Sequence, residues 1–226
     1  MKIASLLVNS LLAATIGSLP FQSAPAAKHD ASRVITILVL GDSLTDGFGL
    51  SRKEAYPALI AEKMRNANYR FEVINAGSSG DTTAGGLRRL PMLLRGKRID
   101  VLILALGIND AFRGVPIEQM RSNLQAIIDR TRARQPNVSI VIAGMQLPLA
   151  SSDGYVRAFG GMFGALAEKN GTALIPYLLE GVGGDPELNL PDRIHPNAAG
   201  QRVLAENVWR VLEPILQKKF TASDRN

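Results

Sequence analysis

The sequence predicts an α/β protein, a doubly wound sandwich of helices around a parallel sheet, on three observations. Short apolar runs of strand length recur along the chain. They are continuous and rich in β-branched residues rather than alternating, as strands covered on both faces require. Amphipathic segments of helical period separate them, and regular βα alternation makes a parallel sheet the natural solution.

The first run, Ile35 to Leu40, ends in Gly41-Asp42-Ser43-Leu44-Thr45 and a polar, glycine-bearing loop that reaches Gly49. The second, Phe71 to Ala76, runs into Gly77-Ser78-Ser79-Gly80-Asp81-Thr82, and the third, Val101 to Leu106, into Gly107-Ile108-Asn109-Asp110. In an open α/β sheet the loops after successive strands meet at one carboxyl edge, where ligands bind. Three stretches far apart in sequence are therefore expected side by side. Next comes a helix whose apolar face carries Met120, Leu124, Ile127 and Ile128. A fourth run, Val138 to Ala143, ends at Gly144-Met145-Gln146-Leu147-Pro148, and a shorter fifth spans Thr172 to Ile175. The stretch Gly181 to Pro186 reads as an irregular loop leading to Asp192-Arg193-Ile194-His195-Pro196. Proline disfavours a helical conformation in the residue before it and suits a first helical position, so His195 is expected at a loop end as the last helix begins at Pro196. That helix has Leu204, Val208, Val211, Leu212 and Ile215 on one face.

Composition narrows the chemistry. The chain has 226 residues, two histidines and no cysteine, so thiol catalysis, disulfides and cysteine metal sites are excluded. Residues 1–26 read as an export signal: Lys2, an apolar stretch from Ile3 to Leu19, and the small residues Ala24-Pro25-Ala26 before a cleavage point. Residues 27–226 are then a single mature domain, expected to be soluble and either periplasmic or secreted. The net charge of +6 is spread over helical stretches such as Arg88, Arg89, Arg95, Arg121 and Arg130, with few aromatic residues between them. This pattern marks solvated helix faces, disfavours nucleic-acid binding and leaves room only for weak attraction to anionic lipid surfaces.

A serine hydroxyl is a weak nucleophile until a base takes its proton. His29 lies close to the cleavage point, so His195 is the only imidazole expected to be held in place. Asp192, three residues earlier, is spaced to orient that ring, so Ser43, Asp192 and His195 together complete a triad. Acyl transfer also needs donors for the developing oxyanion, and Gly80 offers a bare backbone N–H while Asn109 offers a side-chain amide. Asp42, Asp46, Asp81 and Asp110 read as caps of helices or turns rather than acids or bases. The chain lacks the Gly-x-Ser-x-Gly elbow, the Gly-x-Gly-x-x-Gly fingerprint and the P-loop, and with one usable histidine no metal or cofactor is expected.

Gly41-Asp42-Ser43-Leu44, Gly80, Gly107-Ile108-Asn109-Asp110 and Asp192-Arg193-Ile194-His195 resemble the four blocks of the SGNH, or GDSL-type, hydrolases. The wider context, including Arg89-Leu90-Pro91 and Ile194-His195-Pro196-Asn197, is similar to the exported bacterial arylesterase and acyl-CoA thioesterase/lysophospholipase subgroup. The resemblance implies a flavodoxin-like, three-layer α/β/α fold with a five-stranded parallel sheet. It implies Ser43 as nucleophile, His195 as base and Asp192 as its partner, with an oxyanion hole of the Ser43 and Gly80 backbone N–H groups and the Asn109 amide. Ile108 stands where the third block commonly has a second glycine, so this loop is expected to differ in shape.

The expected activity is hydrolysis of small-molecule carboxylic esters or thioesters, lysophospholipids included, with Ile108, Phe112, Leu147 and Pro148 lining the acyl or aryl pocket. Two alternatives stand beside it: carbohydrate O-deacetylation by the same residues, and a non-catalytic flavodoxin-like binding module.

Overall fold

The computed structural model describes residues 34–147 and 153–223. The leader-like residues 1–26, His29 and Pro148 lie outside the described residues. Five strands form one parallel sheet: β1 (Ile35–Gly41), β2 (Phe71–Gly77), β3 (Val101–Ala105), β4 (Ser139–Ala143) and β5 (Ala173–Ile175), in the order β2-β1-β3-β4-β5. Every residue of β1 and β3 is buried, which is why these strands read as unbroken apolar runs. β2 is only half-buried because it is an edge strand, and its exposed Glu72 pairs with Lys97 at 2.6 Å.

Helices cover both faces. On one side α3 (Thr83–Leu93), α5 (Ile117–Arg134) and α6 (Gly154–Asn170) pack in a row, and on the other α2 (Tyr56–Asn66) packs on α7 (Ala198–Ser223). Met120, Leu124, Ile127 and Ile128 of α5 and Leu204, Val208 and Leu212 of α7 turn fully inward, as their helical spacing requires. Two short helices, α1 (Ser43–Asp46) and α4 (Ile108–Phe112), cap the carboxyl ends of β1 and β3. The chain leaves β1 for β2 on one side and then crosses to β3 on the other, so the topological switch point lies at the ends of β1 and β3.

The last helix begins later than the proline rule places it. Pro196 pairs with Asn189 in an isolated antiparallel bridge, and Asn197 caps α7 by accepting from the backbone N–H groups of Ala199 (2.9 Å) and Gly200 (3.1 Å). The cap outcompetes proline because an asparagine oxygen satisfies N–H groups that Pro196 at the first position would leave open. His195 still ends the loop, as expected.

Close backbone approach seats α1 on the sheet. A Cβ on Gly77 would lie 2.2 Å from the Asp46 nitrogen, and one on Gly41 would lie 1.9 Å from Thr45 Oγ1. Gly77→Ala is therefore expected to cost about 1–3 kcal/mol by forcing this contact apart. Gly160, inside α6 with nothing within 4 Å of an added Cβ, gives the opposite sign: Gly160→Ala should stabilise by about 0.5–1 kcal/mol. Urea midpoints at unchanged m-value measure both.

Candidate active site

β1 hands the chain directly to the site. Asp42 caps α1 by accepting from the Leu44 backbone N–H at 3.0 Å, which puts Ser43 on the first turn, 7 % exposed. Ser43 Oγ lies 3.0 Å from His195 Nε2, and His195 Nδ1 lies 2.7 Å from Asp192 Oδ2. The other Asp192 oxygen accepts from the backbone N–H groups of His195 (3.0 Å) and Ile194 (2.9 Å). Arg193 closes this turn with φ +58°, a left-handed conformation that costs a non-glycine residue on the order of 1 kcal/mol.

The charge state of Asp192 assigns the protons of the chain. The His195 backbone N–H above all, then the His195 ring and the Ile194 N–H, holds its carboxyl down at about 2 against the weaker opposing effect of burial. An ionised carboxylate only accepts, so Nδ1 carries a proton. In the neutral imidazole Nε2 is then the acceptor, and the Ser43 hydroxyl donates to it. A hydroxyl whose proton points at a free, oriented imidazole nitrogen is arranged for nucleophilic attack.

The two predicted donors come from neighbouring loops. Gly80 sits at the third position of a turn closed by the Asp81 N–H donating to Ser78 O at 3.0 Å, and its φ of +76° is the conformation a type II turn demands there. An added Cβ would find only Arg113 Nη2 at 3.9 Å, so backbone angle rather than clearance calls for glycine. Asn109 donates one amide hydrogen to Asp81 O at 2.9 Å, which ties α4 to the Gly80 turn and aims the side chain. Asn109 lines a cleft of about 390 Å³ together with Ser43 and His195.

Ile108, Phe112 and Leu147 also line the cleft, and Pro148 lies outside the described residues. Ile108, standing where a glycine was expected, adds an apolar wall at the start of α4. Sequence reading did not place Leu179 or Gly183 here, although the loop after β5 brings both in beside Tyr177. The Tyr177 hydroxyl would lie 2.5 Å from a Cβ on Gly183, so the bare backbone makes room for the ring.

Among the four acids, Asp42 and Asp110 do cap. Asp110 receives the Thr83 backbone N–H (2.8 Å) and hydroxyl (2.6 Å), satisfying the start of α3 from a different helix. Asp46 and Asp81 pair with arginines, Arg52 at 2.9 Å and Arg89 at 2.7 Å, and Asp81 also accepts from the Thr82 backbone N–H at 3.0 Å just before α3. Arg89 also corrects the reading of the basic residues as solvated. It is largely buried and donates to Ala76 O at 2.6 Å and Gly41 O at 2.8 Å, gathering the ends of β1 and β2.

Residues 39–203 match the model of the GDSL-like Lipase/Acylhydrolase family. The chain belongs to that family. It is 40 % identical over 181 residues to Esterase TesA of Pseudomonas aeruginosa, covering 80 % of this chain and 89 % of the relative. It is 32 % identical over 198 residues to Thioesterase 1/protease 1/lysophospholipase L1 of Escherichia coli, covering 88 % and 93 %. The crystal structure of TesA superposes with a TM-score of 0.76 at 39 % identity, covering 80 % of this chain and 99 % of that one. The α/β fold with five parallel strands is thus that of this GDSL/SGNH family.

The family's aspartate before the serine carries an electrostatic load. Burial, opposed by the cap bond to Leu44 and reinforced by Asp81 and Asp110, pushes the Asp42 carboxyl up to about 7. Its Oδ2 has no hydrogen-bond partner among the described residues. A raised folded-state pKa means that the unfolded chain releases this proton first, so stability falls as pH rises from about 4 to about 7. Asp42→Asn keeps the capping oxygen and removes the charge. It should gain melting temperature over the wild type at pH 8 and little at pH 4, as thermal unfolding at the two pH values will measure.

Proposed function

We propose that this chain is a serine hydrolase of carboxylic esters and thioesters, acting through an acyl-enzyme on Ser43. The observation that carries the reading is the continuous Ser43–His195–Asp192 hydrogen-bond chain opening onto a largely apolar cleft. Ser43 Oγ attacks the carbonyl carbon while its proton passes to His195 Nε2, and the negative charge develops on the carbonyl oxygen. The Ser43 and Gly80 backbone N–H groups and the second Asn109 amide hydrogen are the donors for that oxygen. Collapse of the intermediate expels the alcohol, phenol or thiol with the proton held by His195. Water then repeats the sequence in reverse, returning the proton to Ser43 and releasing the acid. Asp192 stays ionised throughout and keeps the ring in its working tautomer.

The apolar lining of Ile108, Phe112, Leu147 and Leu179 supports an acyl or aryl group as the bound portion rather than a sugar. Relatives named as esterase and as thioesterase and lysophospholipase support the same class. The composition of residues 1–26 supports action outside the cytoplasm, and among the described residues no helix is long and apolar enough to cross a membrane.

A fluorophosphonate probe should label the protein at Ser43, and Ser43→Ala should lose both labelling and at least about 10³-fold of p-nitrophenyl butyrate hydrolysis. Labelling retained in the variant would refute the assignment. For Asn109→Ala, steady-state kinetics should show kcat down by about 10²–10³ with KM little changed, because an oxyanion donor acts in the transition state.

A further inference from the structure

We propose that Phe48 is the positioning residue of His195, an aromatic plate that holds the imidazole in the plane its two hydrogen bonds require. The inference rests on the catalytic reading of Ser43 and His195 given above. Phe48 and His195 face each other with ring centroids 4.3 Å apart and planes inclined by 36°. Phe48 is 46 % exposed, takes no part in the hydrophobic core or its margin, and does not line the cleft. Neither core packing nor substrate contact accounts for an aromatic ring in that place.

The backbone around it is built to hold the ring there. Gly47 and Gly49 on either side have φ of +84° and +77°, and the N–H groups of Gly47 and Phe48 both donate to Ser43 O at 3.1 Å. The plate and the nucleophile thus ride on one turn. A Cβ on Gly49 would lie 2.7 Å from Leu190 Cδ1, and the Leu190 N–H donates to His195 O at 2.7 Å. Two segments distant in sequence therefore meet at three points: Ser43 on His195, Phe48 on His195 and Gly49 on Leu190.

Such a plate has a physical task. Hydrogen bonds at Nδ1 and Nε2 anchor the imidazole at opposite ends of a line but resist only weakly its rotation about that line. A ring packed on one face removes that freedom. When His195 takes the Ser43 proton, the same face presents the negative side of an aromatic quadrupole to the new positive charge, an attraction absent from the resting state.

The test is steady-state hydrolysis of p-nitrophenyl butyrate by Phe48→Ala, Phe48→Leu and Phe48→Tyr. Phe48→Ala should lower kcat by about 2- to 30-fold, the range of a cation–π contact, with KM within about twofold. Phe48→Tyr, which keeps the ring, should restore kcat, while Phe48→Leu, which keeps bulk without a quadrupole, should not. The low-field proton resonance of the His195 Nδ1–H bonded to Asp192 should broaden in Phe48→Ala at unchanged melting temperature. Wild-type kcat in Phe48→Ala, full activity in Phe48→Leu, or a loss carried by KM would each overturn the proposal. An inert Phe48→Ala beside a dead Ser43→Ala removes the plate alone, whereas an active Ser43→Ala removes the catalytic reading beneath it.

Discussion

The turn bearing Ser43 lies against the bare backbone of two strand ends, and the separations leave no room for a side chain at either glycine. Gly41 faces Thr45 and Gly77 faces Asp46. At Gly77 backbone meets backbone, and at Gly41 the Thr45 side chain packs on the bare main chain, so the position of Ser43 is set by close contacts at two glycines. Arg89 closes the arrangement from below, drawing the carbonyls of Gly41 and Ala76 to one guanidinium, while Asn75 Nδ2 donates to Thr45 O at 2.9 Å from the β2 side. Rigid elements of this kind hold reacting groups to the tolerances that acyl transfer demands.

The electrostatics follow from that packing. Asp42, Asp81 and Asp110 converge beneath the site, and Arg89 supplies a cation to them by its bond to Asp81. Asp110 spends its carboxylate on the start of α3, and Asp42 is left neutral up to near pH 7 by burial. Asp192 sits at the opposite extreme, nearer solvent and held ionised by backbone N–H groups. Carboxylates of one protein are thus driven apart in acidity by where they are placed, the familiar way for a fold to divide structural from chemical duties.

What could be read from the sequence was what local chemistry encodes. A continuous apolar run reports a strand buried on both faces, and β1 and β3 are such strands. A lone restrained histidine with an aspartate three residues before it can be found by counting. Arg89 was misread because a charged helical residue shows no local sign that its head meets two strand carbonyls. The start of α7 lies later than the proline rule predicts because the side-chain oxygen of Asn197 caps the helix, a bond that the proline rule does not weigh. Phe48 was passed over for a related reason: it reaches His195 through a turn between two positive-φ glycines and so depends on tertiary docking. Edge status, which makes β2 half-buried, likewise belongs to sheet order rather than to any short segment.

Gln201, near the start of α7, joins two of these levels: its Oε1 accepts from the Tyr56 N–H at 2.8 Å and its Nε2 donates to Leu44 O at 3.2 Å, across 145 and 157 residues of chain. His195, the partner of Ser43, is thus supplied from 152 residues further along the chain. A nascent chain in which β1 to β4 have already emerged holds Ser43 without His195 and a turn with no brace from α7. Such non-local closure makes for slow folding, and it means that the Ser43–His195 hydrogen bond can form only once the loop before α7 has docked on the turn after β1. The arrangement around Ser43 is thus a property of the whole fold and of no segment within it.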